Sequence, residues 1–189
     1  MQIDFEKAHN IFDGLMTNLC QECGGLCENE EITLFLPGEA EFAASKLKID
    51  KKEFIKKFCN TIIFKGKEIY ILKAGMCPFL NKKKRCDLEK LNCKPLRCLL
   101  YPILIGNSRG EANVYIDNRY CPMASKITET FRKKAHLVCN QIKSDIPKWW
   151  LEFVSKYDEA TYDYSKLNKL RDKQFIELKE LKKCMIREK

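Results

Sequence analysis

Long apolar runs are missing from this 189-residue chain. The longest uninterrupted one, Leu99 to Ile105, holds seven residues and includes Pro102, against the roughly 20 that a bilayer-spanning helix needs. No membrane-spanning helix and no membrane partner are expected. Glycine, with eight residues, and proline, with six, are too sparse for collagen-like or low-complexity sequence. No Gly-rich phosphate loop, His-Glu-x-x-His motif or nucleophile elbow is present, so the hydrolase and kinase chemistries built on them lack support. Met1 to Met16 carries Asp4, Glu6 and Asp13 where a secretory signal has a basic start and an unbroken apolar centre. The expected compartment is therefore the cytoplasm, where clustered thiols bind metal or do redox work more often than they form structural disulfides.

Cysteine is what the chain has in excess: eleven residues, an odd number. Hydrophobic and charged fractions of 45% and 32% are those of an ordinary globular fold with enough chain to bury a core. The formal charge of +9 counts every thiol as neutral. Four thiolates around a 2+ centre subtract two charges, so part of the basic excess offsets such a site.

Apolar spacing over Phe5, Ala8, Phe12, Leu15 and Met16 predicts an amphipathic first helix ending before Cys20. Ile32 to Leu36 reads as a short strand broken by Pro37-Gly38, Glu39 to Leu47 as a helix, and Asp50 as the cap of another through Phe58. Thr61 to Phe64 and Glu68 to Leu72 flank Lys65-Gly66-Lys67 as one hairpin, and Ile103 to Ile105 and Ala112 to Ile116 flank Asn107 to Gly110 as a second. Glycine vanishes beyond Cys121, and Ser125 to Lys143 carries helical spacing. Pro147 suits the first turn of a helix to about Tyr157, and Ser165 that of a last one. The fold class is α+β: a small cysteine-rich unit of short β hairpins and helices over residues 1–125, with a C-terminal helical extension over 126–189 packed on it.

Cys20, Cys23 and Cys27 put three thiols within eight residues around paired glycines, Gly24 and Gly25, that permit the tight turns of a metal knuckle. Cys77, Cys86, Cys93, Cys98 and Cys121 follow in loop-like contexts, whereas Cys59, Cys139 and Cys184 fall in expected helices and read as packing residues. Dense thiolates repel one another and are costly to bury, so such a set calls for a cation: zinc, or iron in an iron–sulfur cluster, which uses the same ligands. A redox Cys-x-x-Cys fits less well, because a helix precedes Cys20 and glycines follow it. The radical-SAM and bacterial ferredoxin spacings do not match. His9 and His136 read as surface or packed residues, although either can complete a Cys₃His site.

These pieces resemble the cysteine-cluster family of zinc- or iron-chelating proteins, whose hallmark opens with CxxCxxCC. The likeness spans about residues 15–125: the Cys20–Cys27 group, Leu36-Pro37-Gly38-Glu39, Cys77-Pro78-Phe79-Leu80, Cys86, Lys94-Pro95-Leu96-Arg97-Cys98-Leu99-Leu100-Tyr101-Pro102, and Cys121-Pro122. Leu26 stands where the family has the first cysteine of its terminal pair, and Cys93 is additional. The resemblance implies metal ligation by Cys20, Cys23, Cys27, Cys77, Cys86, Cys98 and Cys121, with Cys93 as a substitute. Some relatives resemble flagellin lysine N-methylases, which supplies an enzyme alternative by analogy.

Lys82-Lys83-Lys84-Arg85 raises a third reading, a zinc-dependent nucleic-acid-binding module, set against the plainer one of a solvated turn that offsets thiolate charge. Phe79, Tyr101 and one of Trp149 and Trp150 are expected in the core. Ser165 to Lys189, with nine basic residues against four acidic, reads as an exposed or partner-bound amphipathic helix.

Overall fold

The computed structural model describes residues 3–12, 33–73, 77–83, 85–117, 121 and 124–162. Helix α1 (Phe5–Ile11) starts at Asp4, whose carboxylate accepts the Lys7 amide at 3.0 Å and so satisfies one of the orphan donors of the first turn. Phe5, Ala8 and Phe12 face the core; Leu15 and Met16 lie outside the described residues. The expected strand at Ile32–Leu36 is reduced, within those residues, to a single bridge between Leu34 and Ile71. It is flanked by bonds from Phe35 N to Tyr70 O (3.0 Å) and from Leu72 N to Thr33 O (2.8 Å). Pro37, with no N–H, ends the pairing, and Gly38 turns into α2 (Glu39–Lys46) at a φ of 85° that disfavours side chains. Asp50 caps α3 (Lys51–Phe58) as expected, accepting the amides of Lys52 (2.8 Å) and Glu53 (3.4 Å).

Strands β1 (Cys59–Phe64) and β2 (Lys67–Leu72) pair antiparallel from Cys59 with Leu72 to Phe64 with Lys67. Lys65 and Gly66 both take positive φ, giving the two-residue turn whose twist matches the strands. Cys59, expected in a helix, is instead the first residue of β1; it remains buried. After a short helix α4 (Leu96–Leu99), β3 (Ile103–Ser108) and β4 (Glu111–Ile116) form the second hairpin around Arg109-Gly110. Isolated hairpins are marginal in water, and here helices cover them. Thr128 caps α5 (Glu129–Ile142), and α6 (Lys148–Tyr162) follows Pro147, running five residues past the expected end at Tyr157. The helix expected from Ser165 lies outside the described residues.

Two apolar clusters form the core. One joins Phe5, Leu34, Ile103, Phe131, Val138 and Phe153, so α1, both hairpins, α5 and α6 share it. The other joins Phe35, Phe54, Tyr70, Phe79 and Leu88 with Cys59, Cys86 and Cys93. Trp150, 1% exposed, donates its indole N–H to Phe35 O at 3.1 Å, while Trp149 is only partly buried, as expected for one of the pair. Among the described residues no helix is long and apolar enough to cross a membrane.

Gly106 on β3 has a specific reason. A β-carbon there would stand 2.5 Å from Cε1 of Tyr115, whose ring crosses β3 to reach Asp158 with its hydroxyl. Gly106→Ala must displace that ring and is expected to cost about 1–3 kcal/mol, read as a lower urea midpoint at unchanged m-value. An unchanged midpoint would mean the ring moves aside freely.

Candidate metal centre

The later thiols are carried by two small devices. The first is the loop from Cys77 to Asp87, folded back on itself by a bridge between Leu80 and Cys86 and by bonds from Asn81 N to Arg85 O (2.9 Å) and Asp87 N to Phe79 O (2.8 Å). Asn81 staples the turn: its Oδ1 accepts the amides of Lys83 (2.9 Å) and Arg85 (3.2 Å), and its Nδ2 donates to Asp87 (2.9 Å). That bond, helped by Lys90, holds the Asp87 carboxyl below its usual range. Phe79 anchors the loop against Phe58, with ring centroids 4.7 Å apart. Cys77 is thereby half-buried and Cys86 buried.

The second device is α4, which carries Cys98. Glu39, fully buried, spans from its own helix start to α4: Oε2 accepts Leu36 N at 2.8 Å and Oε1 accepts Leu96 N at 2.6 Å, across 57 residues of sequence. Burial pushes its carboxyl up to about 7, opposed by the two amides and the Arg97 charge. On the other side Arg97, 4% exposed, donates to Asp158 on α6 at 2.7 Å and to Ile105 O at 3.3 Å. Tyr115 also donates to Asp158. Held from both sides, α4 presents Cys98 to Thr33: Sγ and Oγ1 share a hydrogen bond at 2.7 Å.

The sequence-predicted ligands therefore divide. Cys20, Cys23 and Cys27 lie outside the described residues. Cys77 and Cys86 share one loop, Cys98 sits on α4, and Cys121 is half-buried, its carbonyl accepting Ala124 N at 3.1 Å. Among the described residues no three or more Cys, His, Asp or Glu side chains gather closely enough to hold a metal ion. Cys93, the suggested substitute, is fully buried; burial pushes its thiol up to about 11, and its sulfur donates to Leu88 O at 3.6 Å. Cys59, pushed up to about 12, and Cys139, pushed up as well, are likewise neutral thiols in apolar packing. Cys184 lies outside the described residues. His9 is packed, stacked on Phe42 with centroids 5.9 Å apart, and burial followed by the Lys46 charge lowers it to about 4; His136 is exposed.

Thr33, Glu39, Arg97 and Asp158 are positioning residues that the sequence reading did not single out. Glu39 and Arg97 at least fall inside the family-like segments Leu36–Glu39 and Lys94–Pro102; Asp158 carries no local signal. No family model, curated protein or solved structure matches the chain.

Proposed function

We propose that this is a metal-binding protein in which thiolates from the Cys20–Cys27 group and from Cys77, Cys86, Cys98 and Cys121 hold zinc or an iron–sulfur cluster, in the manner of the cysteine-cluster family it resembles. The described thiols fall short of a ligand set by themselves, so the reading requires the first group to complete it. The Thr33–Cys98 bond carries the reading. Six peptide links join Thr33 to Cys27, a reach of at most about 20 Å, which leaves Cys27 able to approach Cys98, with Cys23 and Cys20 four and seven residues further back. A bound cation there neutralises the thiolates and cross-links segments far apart in sequence, and its binding energy becomes folding energy. Reducing conditions of the kind found in cytoplasm keep such ligands available.

Metal and acid-labile sulfide analysis of anaerobically purified protein tests this. Brown colour with iron and sulfide identifies a cluster; a colourless protein with stoichiometric zinc identifies a zinc site. Cys23→Ser and Cys98→Ser are each expected to lower bound metal from about one equivalent to less than half, while Cys139→Ala and Cys184→Ser leave it unchanged. Equal metal content in all four variants would overturn the ligand assignment.

A further inference from the structure

The thiol-bearing loop also displays a surface that the metal reading does not use. Its tip exposes Lys82, Lys83 and Arg85, and Asn81 occupies the tip's own amides, leaving the cationic side chains directed at solvent. Through the Phe58–Phe79 contact this loop abuts the C-terminal end of α3, where Lys56 and Lys57 are exposed. Lys73 joins them, its ammonium donating to the carbonyls of Lys56 (2.6 Å) and Lys57 (3.3 Å). Phe79 precedes Lys82 by three residues, about 10 Å of chain at most, so the loop tip lies near the end of α3 and the six cations form one local basic region. Among the described residues none of the six makes an ion pair, whereas Lys46, Lys51, Lys65, Lys90 and Arg97 elsewhere do. The closest carboxylate in the loop, Asp87, is engaged by Asn81 and Lys90.

We infer that this region binds the phosphodiester backbone of a nucleic acid. Its cations come from three separate segments, an arrangement that a chain of regularly spaced phosphates can engage all at once, whereas a single small phosphate engages one group. A membrane surface would want bulky apolar residues to insert. Among the described residues the large exposed ones, Ile63, Leu91, Tyr115, Ile116 and Leu137, belong neither to α3 nor to the Cys77–Asp87 loop. Recognition here is electrostatic and carries no base readout.

The test titrates the full-length, metal-replete protein with a fluorescein-labelled single-stranded oligonucleotide of about 20 nucleotides between about 50 and 200 mM KCl. Each phosphate neutralised contributes about −0.7 to the slope of log K against log salt. The wild type is expected to show a slope of roughly −3 to −4. Lys82→Gln/Lys83→Gln/Arg85→Gln should weaken binding at least about tenfold and flatten the slope by about 2, and Lys56→Gln/Lys57→Gln should flatten it by about 1. Metal content should be unchanged in both, which separates this inference from the metal reading. Lys133→Gln/Lys143→Gln, on exposed positions of α5 and the turn after it, should bind as wild type. Absence of binding at low salt, equal losses in all three variants, or tighter retention on phosphatidylserine vesicles than on the oligonucleotide would overturn it.

Discussion

Asp158→Ala is expected to destabilise the fold by about 3–5 kcal/mol, the cost of removing one partner from a buried ion pair. Arg97 is 4% exposed and Asp158 is 18% exposed, so the guanidinium is the more deeply buried charge and the one that loses its carboxylate in the substitution. The Ile105 carbonyl, at 3.3 Å, remains as an acceptor but brings no compensating charge. Tyr115 loses its acceptor as well. Replacing both charges, as Arg97→Met with Asp158→Leu, removes the desolvation penalty along with the attraction and should cost less than the single change. Urea unfolding of the three proteins measures this. A single variant within about 1 kcal/mol of wild type would mean that water reaches Arg97 and that α6 does not hold α4. Because α4 carries Cys98, bound metal is expected to weaken in Asp158→Ala and less in Gly106→Ala, which displaces the Tyr115 hydroxyl from Asp158 but leaves the Arg97–Asp158 pair in place.

The second large effect is in the pH dependence of stability, where two buried groups oppose one another. Glu39 is raised by burial from 4.5 to about 7, so its favourable contribution is complete below about pH 4.5 and is lost as pH rises through 7. His9 is lowered from 6.5 to about 4, by burial and then by Lys46. Its contribution is complete above about pH 6.5 and is lost as pH falls through 4. Between pH 4.5 and 6.5 the two slopes, each about 1.4 kcal/mol per pH unit, have opposite signs and nearly cancel. Glu39→Gln should therefore convert a shallow profile into one that rises steeply with pH over that window, and His9→Phe into one that falls up to about pH 7. Glu39→Gln carries an additional pH-independent loss of about 1–3 kcal/mol, since an amide nitrogen replaces one of the two acceptors facing Leu36 N and Leu96 N. Urea midpoints at half-unit pH steps provide the profiles. Curves for both variants that run parallel to wild type would show that neither group titrates inside the fold.

Features that residues settle among their neighbours were legible in sequence. Asp50 as a cap, turns within Lys65-Gly66-Lys67 and Asn107 to Gly110, and helices around Glu39, Phe131 and Trp150 all rest on contacts within a few positions. The errors sit at junctions. Cys59 continues the apolar pattern of α3 yet starts β1, because the ladder bond to Leu72 takes over where the helix stops. The expected strand before Pro37 is only a bridge, and α6 outruns its expected end. At the site, the loop contexts read for Cys77, Cys86, Cys93 and Cys121 carry over, but Cys98, also read as a loop residue, stands on α4, and the bond from Cys93 to the Leu88 carbonyl leaves no trace in spacing. The clamp residues were beyond reach for a plain reason: Glu39 meets Leu96 across 57 residues and Arg97 meets Asp158 across 61, and neither separation leaves a periodic trace.

The indole of Trp150 hangs from the Phe35 carbonyl, two residues along from the hydroxyl that touches the Cys98 sulfur. A chromophore is thus wired to the stretch that leads out of the first thiol group. Its emission is expected to respond to a rearrangement at Phe35, and Trp149→Phe would remove the signal of the partly buried Trp149. Filling or emptying the proposed metal site is therefore expected to change that emission, without a label.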